Sequence, residues 1–176
     1  MRRRRRSDAR RLWPLLPNGS PVPFGHRRRR EAEVTTATSA QHRIRVTRTI
    51  VERLEREARA AAPYECCGFL AGRGDLIHAL YPLRNVAERP LVEYFADVRE
   101  VLAAFRTMRT RGEELLGIYH SHPTSAASPS ATDIERAYYP EAVYFIISLQ
   151  PALDLRAYRI ISGKVEAVAV EIVEGA

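Results

Sequence analysis

The sequence predicts an α/β fold, a three-layer sandwich of helices around a curved mixed β-sheet, and three observations carry that prediction. Apolar residues recur at helical spacing in two stretches, at Ile50, Leu54 and Ala58 and again at Val98, Leu102, Phe105 and Met108. Between and after them lie short apolar or alternating runs that read as strands. Gly and Pro punctuate the boundaries, and helices interspersed with strands favour layers over a bundle or an all-β sandwich. The strand order stays open.

In chain order, His42 to Val46 alternates as a short strand, and Thr47 or Thr49 can cap the first helix, which Pro63 stops. Cys67 to Ala71 and Leu76 to Leu83 form a hairpin across Gly72-Arg73-Gly74-Asp75. A loop with Asn85 and Pro90 leads to the second helix. That helix starts at Asp97, with Glu100 completing a capping box, buries the stripe Val98, Leu102, Phe105 and Met108, and ends at Gly112. A strand over 115–120 follows. A short helix begins near Ser130 and closes at Pro140, and Val143 to Leu149, Leu155 to Ile161 and Val165 to Val173 give three closing strands.

The strand over 115–120 runs into His120-Ser121-His122-Pro123, followed by Ser130 and Asp133. Residues i and i+2 of a strand share a face with alpha carbons about 6.6 Å apart, so both imidazoles can reach one cation. Asp133 supplies a third ligand. Two His and one Asp match a catalytic zinc, which takes three protein ligands and keeps one position for water. With 5 His and 11 Pro in 176 residues, the pattern H-x-H-P-x6-S-x-x-D arises by chance on the order of 10⁻⁵ times per chain, so it counts as a signal. Ser130-Ala131-Thr132-Asp133 is also an S-x-x-D capping box, and a carboxylate turned to its own helix start is less free to face a metal.

A hydrolase of this kind needs a general base, and Glu65 stands at the mouth of the apolar run Cys66-Cys67-Gly68-Phe69-Leu70-Ala71. Buried there, the acid is costly unless it is used; in the preceding loop it is simply solvated. Taken together, Glu65, His120-Ser121-His122-Pro123, Ser130 and Asp133 resemble the complete signature of the JAMM (MPN+) zinc metalloprotease family. The flanks Glu-Cys-Cys-Gly-Phe-Leu-Ala-Gly and Pro-Ser-Ala-Thr-Asp resemble its small bacterial branch, which acts on ubiquitin-like sulfur-carrier proteins. The resemblance spans roughly residues 42 to 176 and implies the deaminase-like JAMM/MPN fold. It implies Zn²⁺ held by His120, His122 and Asp133, Glu65 as general base, and Ser130 as a donor to the oxyanion, although that hydroxyl is also the natural helix cap.

Charge is divided unevenly. Residues 1–40 hold eleven Arg against Asp8, Glu31 and Glu33, a net of +8 within a chain total of +7, so the remainder is nearly neutral and offers no footprint for a phosphate backbone. The expectation is an Arg-rich, disordered arm over 1–40 and one domain over 41–176. Because the chain has a single lysine, Lys164, among its 28 basic residues, the Arg bias also fits GC-rich coding, with translation starting near Val22 or Val34 instead. Leu12-Trp13-Pro14-Leu15-Leu16 is too short and too broken for a signal peptide, and no run is long enough to span a membrane, so the expected compartment is the cytoplasm. The adjacent Cys66 and Cys67 suit buried packing rather than a disulfide or a C-x-x-C site.

The leading functional expectation is a zinc-dependent peptidase cutting after the C-terminal Gly-Gly of a small ubiquitin-like sulfur carrier, for example releasing cysteine. The substrate rests on the resemblance. Two other classes compete, a catalytically inactive scaffold of the same fold and an Arg-rich nucleic-acid binder. The complete motif weighs against the first, and the neutral body against the second.

Overall fold

The computed structural model describes residues 43–174. The arm expected over 1–40 and the start of the first expected strand at His42 lie outside the described residues. Among the described residues seven strands, β1 (Arg43–Thr47), β2 (Cys67–Arg73), β3 (Leu76–Leu83), β4 (Glu114–His122), β5 (Val143–Ser148), β6 (Asp154–Ile161) and β7 (Lys164–Val173), are interspersed with three helices, α1 (Arg48–Ala61), α2 (Val98–Arg111) and α3 (Ala131–Glu135). This is a mixed α/β fold, as expected.

The sheet is curved to the point of closure, in the order β1-β3-β2-β4-β5-β6-β7, with β7 returning to β1. Pairing is parallel for β1 with β3, β1 with β7 and β4 with β5, and antiparallel elsewhere. Helix α1 presents Ile50, Leu54 and Ala58 to a core of Ile44, Val46, Leu70, Tyr119, Phe145 and Ile147. Since strand side chains alternate, Tyr119 on the α1 side puts His120 and His122 of β4 on the other face, beside Phe69, which stacks on Phe105 of α2 with ring centroids 5.1 Å apart. Strand β4 is hydrogen-bonded on both edges, to β2 and to β5. Its two histidines therefore stand on a braced strand.

That bracing depends on a close approach. A Cβ at Gly68 would lie 2.4 Å from the Tyr81 carbonyl oxygen and 2.6 Å from the Tyr119 ring, so the strands around β2 sit closer than any other residue allows.

Several details differ from expectation. In α2 the buried residues are Val101, Ala104 and Met108, whereas Val98 and Leu102 of the expected stripe are exposed. Both stripes have helical spacing, and the choice between them is made by Phe69 and its neighbours in the sheet. Asp97 caps the helix as expected, accepting from the amides of Arg99 and Glu100. Glu100 does not reciprocate; its carboxylate accepts from the Arg84 amide, because the Asp97 amide already donates to the Arg84 carbonyl. Helix α3 stops at Arg136, short of Pro140, and β4 runs on through His122. The Gly112 stop holds, with φ at +65° where only glycine is unstrained. Among the described residues no helix is long and apolar enough to cross a membrane.

Candidate metal centre

Strand periodicity aims both β4 imidazoles at the same point. Their Nε2 atoms lie 3.1 Å apart, and the Asp133 carboxylate at the start of α3 brings Oδ1 to 3.4 Å from His120 Nε2 and Oδ2 to 3.5 Å from His122 Nε2. All three side chains are buried, that of Asp133 being 9% exposed. Donor atoms around a tetrahedral zinc, each about 2.0–2.1 Å from the ion, lie about 3.3 Å from one another. The imidazole spacing and the distance from each imidazole to its nearer carboxylate oxygen lie close to that value, and one ligand atom from each residue falls within 4.8 Å of the others, so the residues fit such an ion.

Protonation of each group is set by its partners. His122 Nδ1 lies 2.8 Å from the Ala126 carbonyl oxygen, which can only accept, so in the neutral ring Nδ1 carries the proton and Nε2 turns a lone pair inward. This bond raises the affinity of His122 for a proton, as does Asp133, and together they outweigh burial. For His120, burial dominates and pushes the pKa down. Burial pushes Asp133 up, but the bonds from both imidazoles and from Ser130 hold its carboxyl well below the usual range. The carboxylate is thus ionised and burial favours the neutral form of His120, whereas His122 ligates a cation only by giving up the proton that Asp133 helps it hold.

The capping box and the ligand cluster coexist. Asp133 Oδ2 accepts from the amide and the hydroxyl of Ser130, each at 2.7 Å, while Ser130 Oγ accepts from the Asp133 amide at 3.2 Å. The competition foreseen between cap and ligand is resolved by sharing one carboxylate. The single Ser130 hydroxyl proton is committed to Asp133.

Glu65 is 6% exposed, which excludes the solvated-loop alternative. Burial pushes its pKa up to about 7, helped by the negative charges of Asp133 and Glu93 and opposed by His122. Its backbone is held from two sides, the amide donating to the Pro90 carbonyl at 2.8 Å and the carbonyl accepting from Asn85 Nδ2 at 2.9 Å. The next amide, of Cys66, donates to Ser121 Oγ at 2.9 Å, so the residue between the two histidines ties β4 to the segment that bears Glu65. Cys66 and Cys67 are free thiols, Cys67 buried, and burial pushes the Cys66 thiol up to about 11.

Residue patterns alone did not single out Ser121, Asn85 or Tyr94. Tyr94 stacks on the His120 ring, with centroids 4.5 Å apart and planes at 21°. Asn85, just past a strand end, carries an Asx-turn signal in accepting from the Ala87 amide two residues on. No sequence signal marks Tyr94.

Comparison with known proteins gives the chain a family. The chain is 37% identical over 129 residues to the CysO-cysteine peptidase of Mycobacterium tuberculosis, covering 71% of this chain and 88% of that protein. It is 44% identical over 88 residues to a desampylase of Haloferax volcanii, a match spanning 49% of this chain and 63% of the relative, less than two thirds of its length. A protein of Desulfitobacterium hafniense, solved in solution, superposes with a TM-score of 0.69 at 36% identity over 75% of this chain and 94% of that one. Prokaryotic homologues of the JAB domain match residues 47–161, well over half the sequence, and the chain therefore belongs to that prokaryotic JAB family, whose wider name is JAMM.

Proposed function

We propose that this chain is a zinc-dependent metallopeptidase that hydrolyses the peptide or isopeptide bond after the C-terminal Gly-Gly of a small ubiquitin-like sulfur-carrier protein, with cysteine among the groups released. The observation that supports it most directly is the convergence of His120 Nε2, His122 Nε2 and the Asp133 carboxylate on one buried point, with a second buried acid, Glu65, in the same site. These three residues would hold Zn²⁺, which when bound polarises the scissile carbonyl and makes water acidic enough to attack at neutral pH.

The remaining work falls to the chain. Glu65 takes the proton of the attacking water on its carboxylate and returns it to the leaving nitrogen, and a pKa pushed up to about 7 suits a group that must do both. Ser130 serves as a donor to the developing oxyanion only by turning its hydroxyl away from Asp133. The backbone grip on Glu65 keeps the acid beside the ligands.

The substrate class rests on the family's bacterial branch and on the names of the two relatives, one a CysO-cysteine peptidase and one a desampylase. The catalytic domain is residues 41–176, with the arm dispensable for chemistry. Incubating metal-analysed protein with small ubiquitin-like carriers bearing one extra C-terminal residue tests the reading, with the product weighed by mass spectrometry. Loss of that residue, persisting after removal of 1–40, is expected; intact carriers with zinc-loaded protein would refute it.

A further inference from the structure

A ligating imidazole is oriented by what its second nitrogen meets. For His122 that is the Ala126 carbonyl. His120 differs: its Nδ1 is buried and has no hydrogen-bond partner among the described residues, and its ring lies flat against Tyr94. Tyr94 is itself gripped on both sides by one side chain. Asn85 Nδ2 donates to the carbonyl of Glu93 at 3.1 Å, and Asn85 Oδ1 accepts from the amide of Phe95 at 3.0 Å, so the residues before and after Tyr94 are fixed by the same amide. That amide also donates to the Glu65 carbonyl. The Glu93 carboxylate lies 3.3 Å from Arg136 at the end of α3, the helix that carries Asp133.

Resting on the hydrolytic reading above, we infer that Asn85 and Tyr94 are positioning residues for this centre. The Tyr94 ring fixes the plane of His120 where a second hydrogen bond would otherwise do so, and the Asn85 amide sets that ring and the base Glu65 in one frame. The chemistry demands both halves of an amide. Aspartate keeps the acceptor but loses both donors and turns a charge toward two carbonyls; leucine keeps neither. For Tyr94 the demand is a flat ring, which phenylalanine meets and leucine does not.

The test uses the full chain loaded with zinc, and with Co²⁺ as a spectroscopic reporter. Tyr94→Leu is expected to weaken zinc about 10-fold in chelator competition and to alter the visible Co²⁺ spectrum, while Tyr94→Phe keeps both parental. Asn85→Asp is expected to lower kcat about 10-fold or more with KM within about twofold, because the residue touches backbone and not substrate. Circular dichroism identifies any variant that fails to fold, and either folded variant decides the matter. Parental zinc affinity and spectrum in folded Tyr94→Leu, or parental kcat in folded Asn85→Asp, overturns the inference and leaves the proposed function standing. A parent chain that binds no zinc overturns both.

Discussion

Ser130 and Asp133 share two hydrogen bonds into a single carboxylate oxygen, and the same carboxylate faces both imidazoles. A helix cap and a metal ligand are thereby one object. Ser130→Ala is expected to cost about 1 kcal/mol of stability as a lost cap and to weaken zinc about 10-fold as a lost outer-shell bond. Thermal melting and chelator competition read the two effects separately. A fall in turnover on the order of 10²-fold at saturating zinc would add the oxyanion role.

Glu65→Gln should retain zinc and lose turnover by about 10²-fold or more. His122→Ala should lose the metal as well, measured as zinc per chain after dialysis. Parental turnover in Glu65→Gln refutes the base assignment.

The same substitution should stabilise the metal-free protein, with a definite pH signature. The folded-state pKa of Glu65 is raised, from 4.5 to about 7, so folding favours its protonated form. Below pH 4.5 the acid is protonated folded or unfolded and costs nothing. As pH rises through that window the penalty develops, and above 7 it is complete. Glu65→Gln should therefore exceed the parent in stability by about 1–2 kcal/mol at pH 8, a gap that closes toward pH 4.5. Urea melts at the two pH values measure it.

With its thiol pushed up to about 11, Cys66 is almost wholly protonated at neutral pH. Iodoacetamide should leave folded protein unmodified and active while alkylating both cysteines in denaturant, as read by intact mass. Rapid inactivation of the folded chain would point to a thiol in the chemistry.

Gly68→Ala places a methyl group against the Tyr81 carbonyl, which cannot move without disturbing β3. A loss of about 1–3 kcal/mol is expected in denaturant melts, as for an overpacked core.

The sequence exposed those parts of the molecule that follow from local chemistry. The hairpin of β2 and β3, the Asp97 and Gly112 helix ends and the three closing strands depend on turn residues and apolar runs, and they lie within two residues of where those signals put them, β2 running on through Arg73. The buried face of α2 was legible at its C-terminal end, where Met108 is buried and Phe105 stacks on Phe69, but not at its start, where two stripes have comparable spacing and only the facing sheet chooses Val101 over Leu102. Closure of the sheet was also hidden, since the pairing of β1 with β7 joins residues more than 100 positions apart. At the centre, His120, His122 and Asp133 were readable from spacing. Asn85 and Tyr94 were not, because they act through backbone bonds and ring contact made across the loop, which no motif spells.

His122 is oriented by the main-chain oxygen of Ala126, not by a side chain. Any residue that keeps the turn preserves that interaction, so substitution at this position should leave no trace in the imidazole's behaviour. A duty discharged by the peptide group is invisible to exchange of the side chain it belongs to. It would surface only under a proline or an insertion that reshapes the path of the loop.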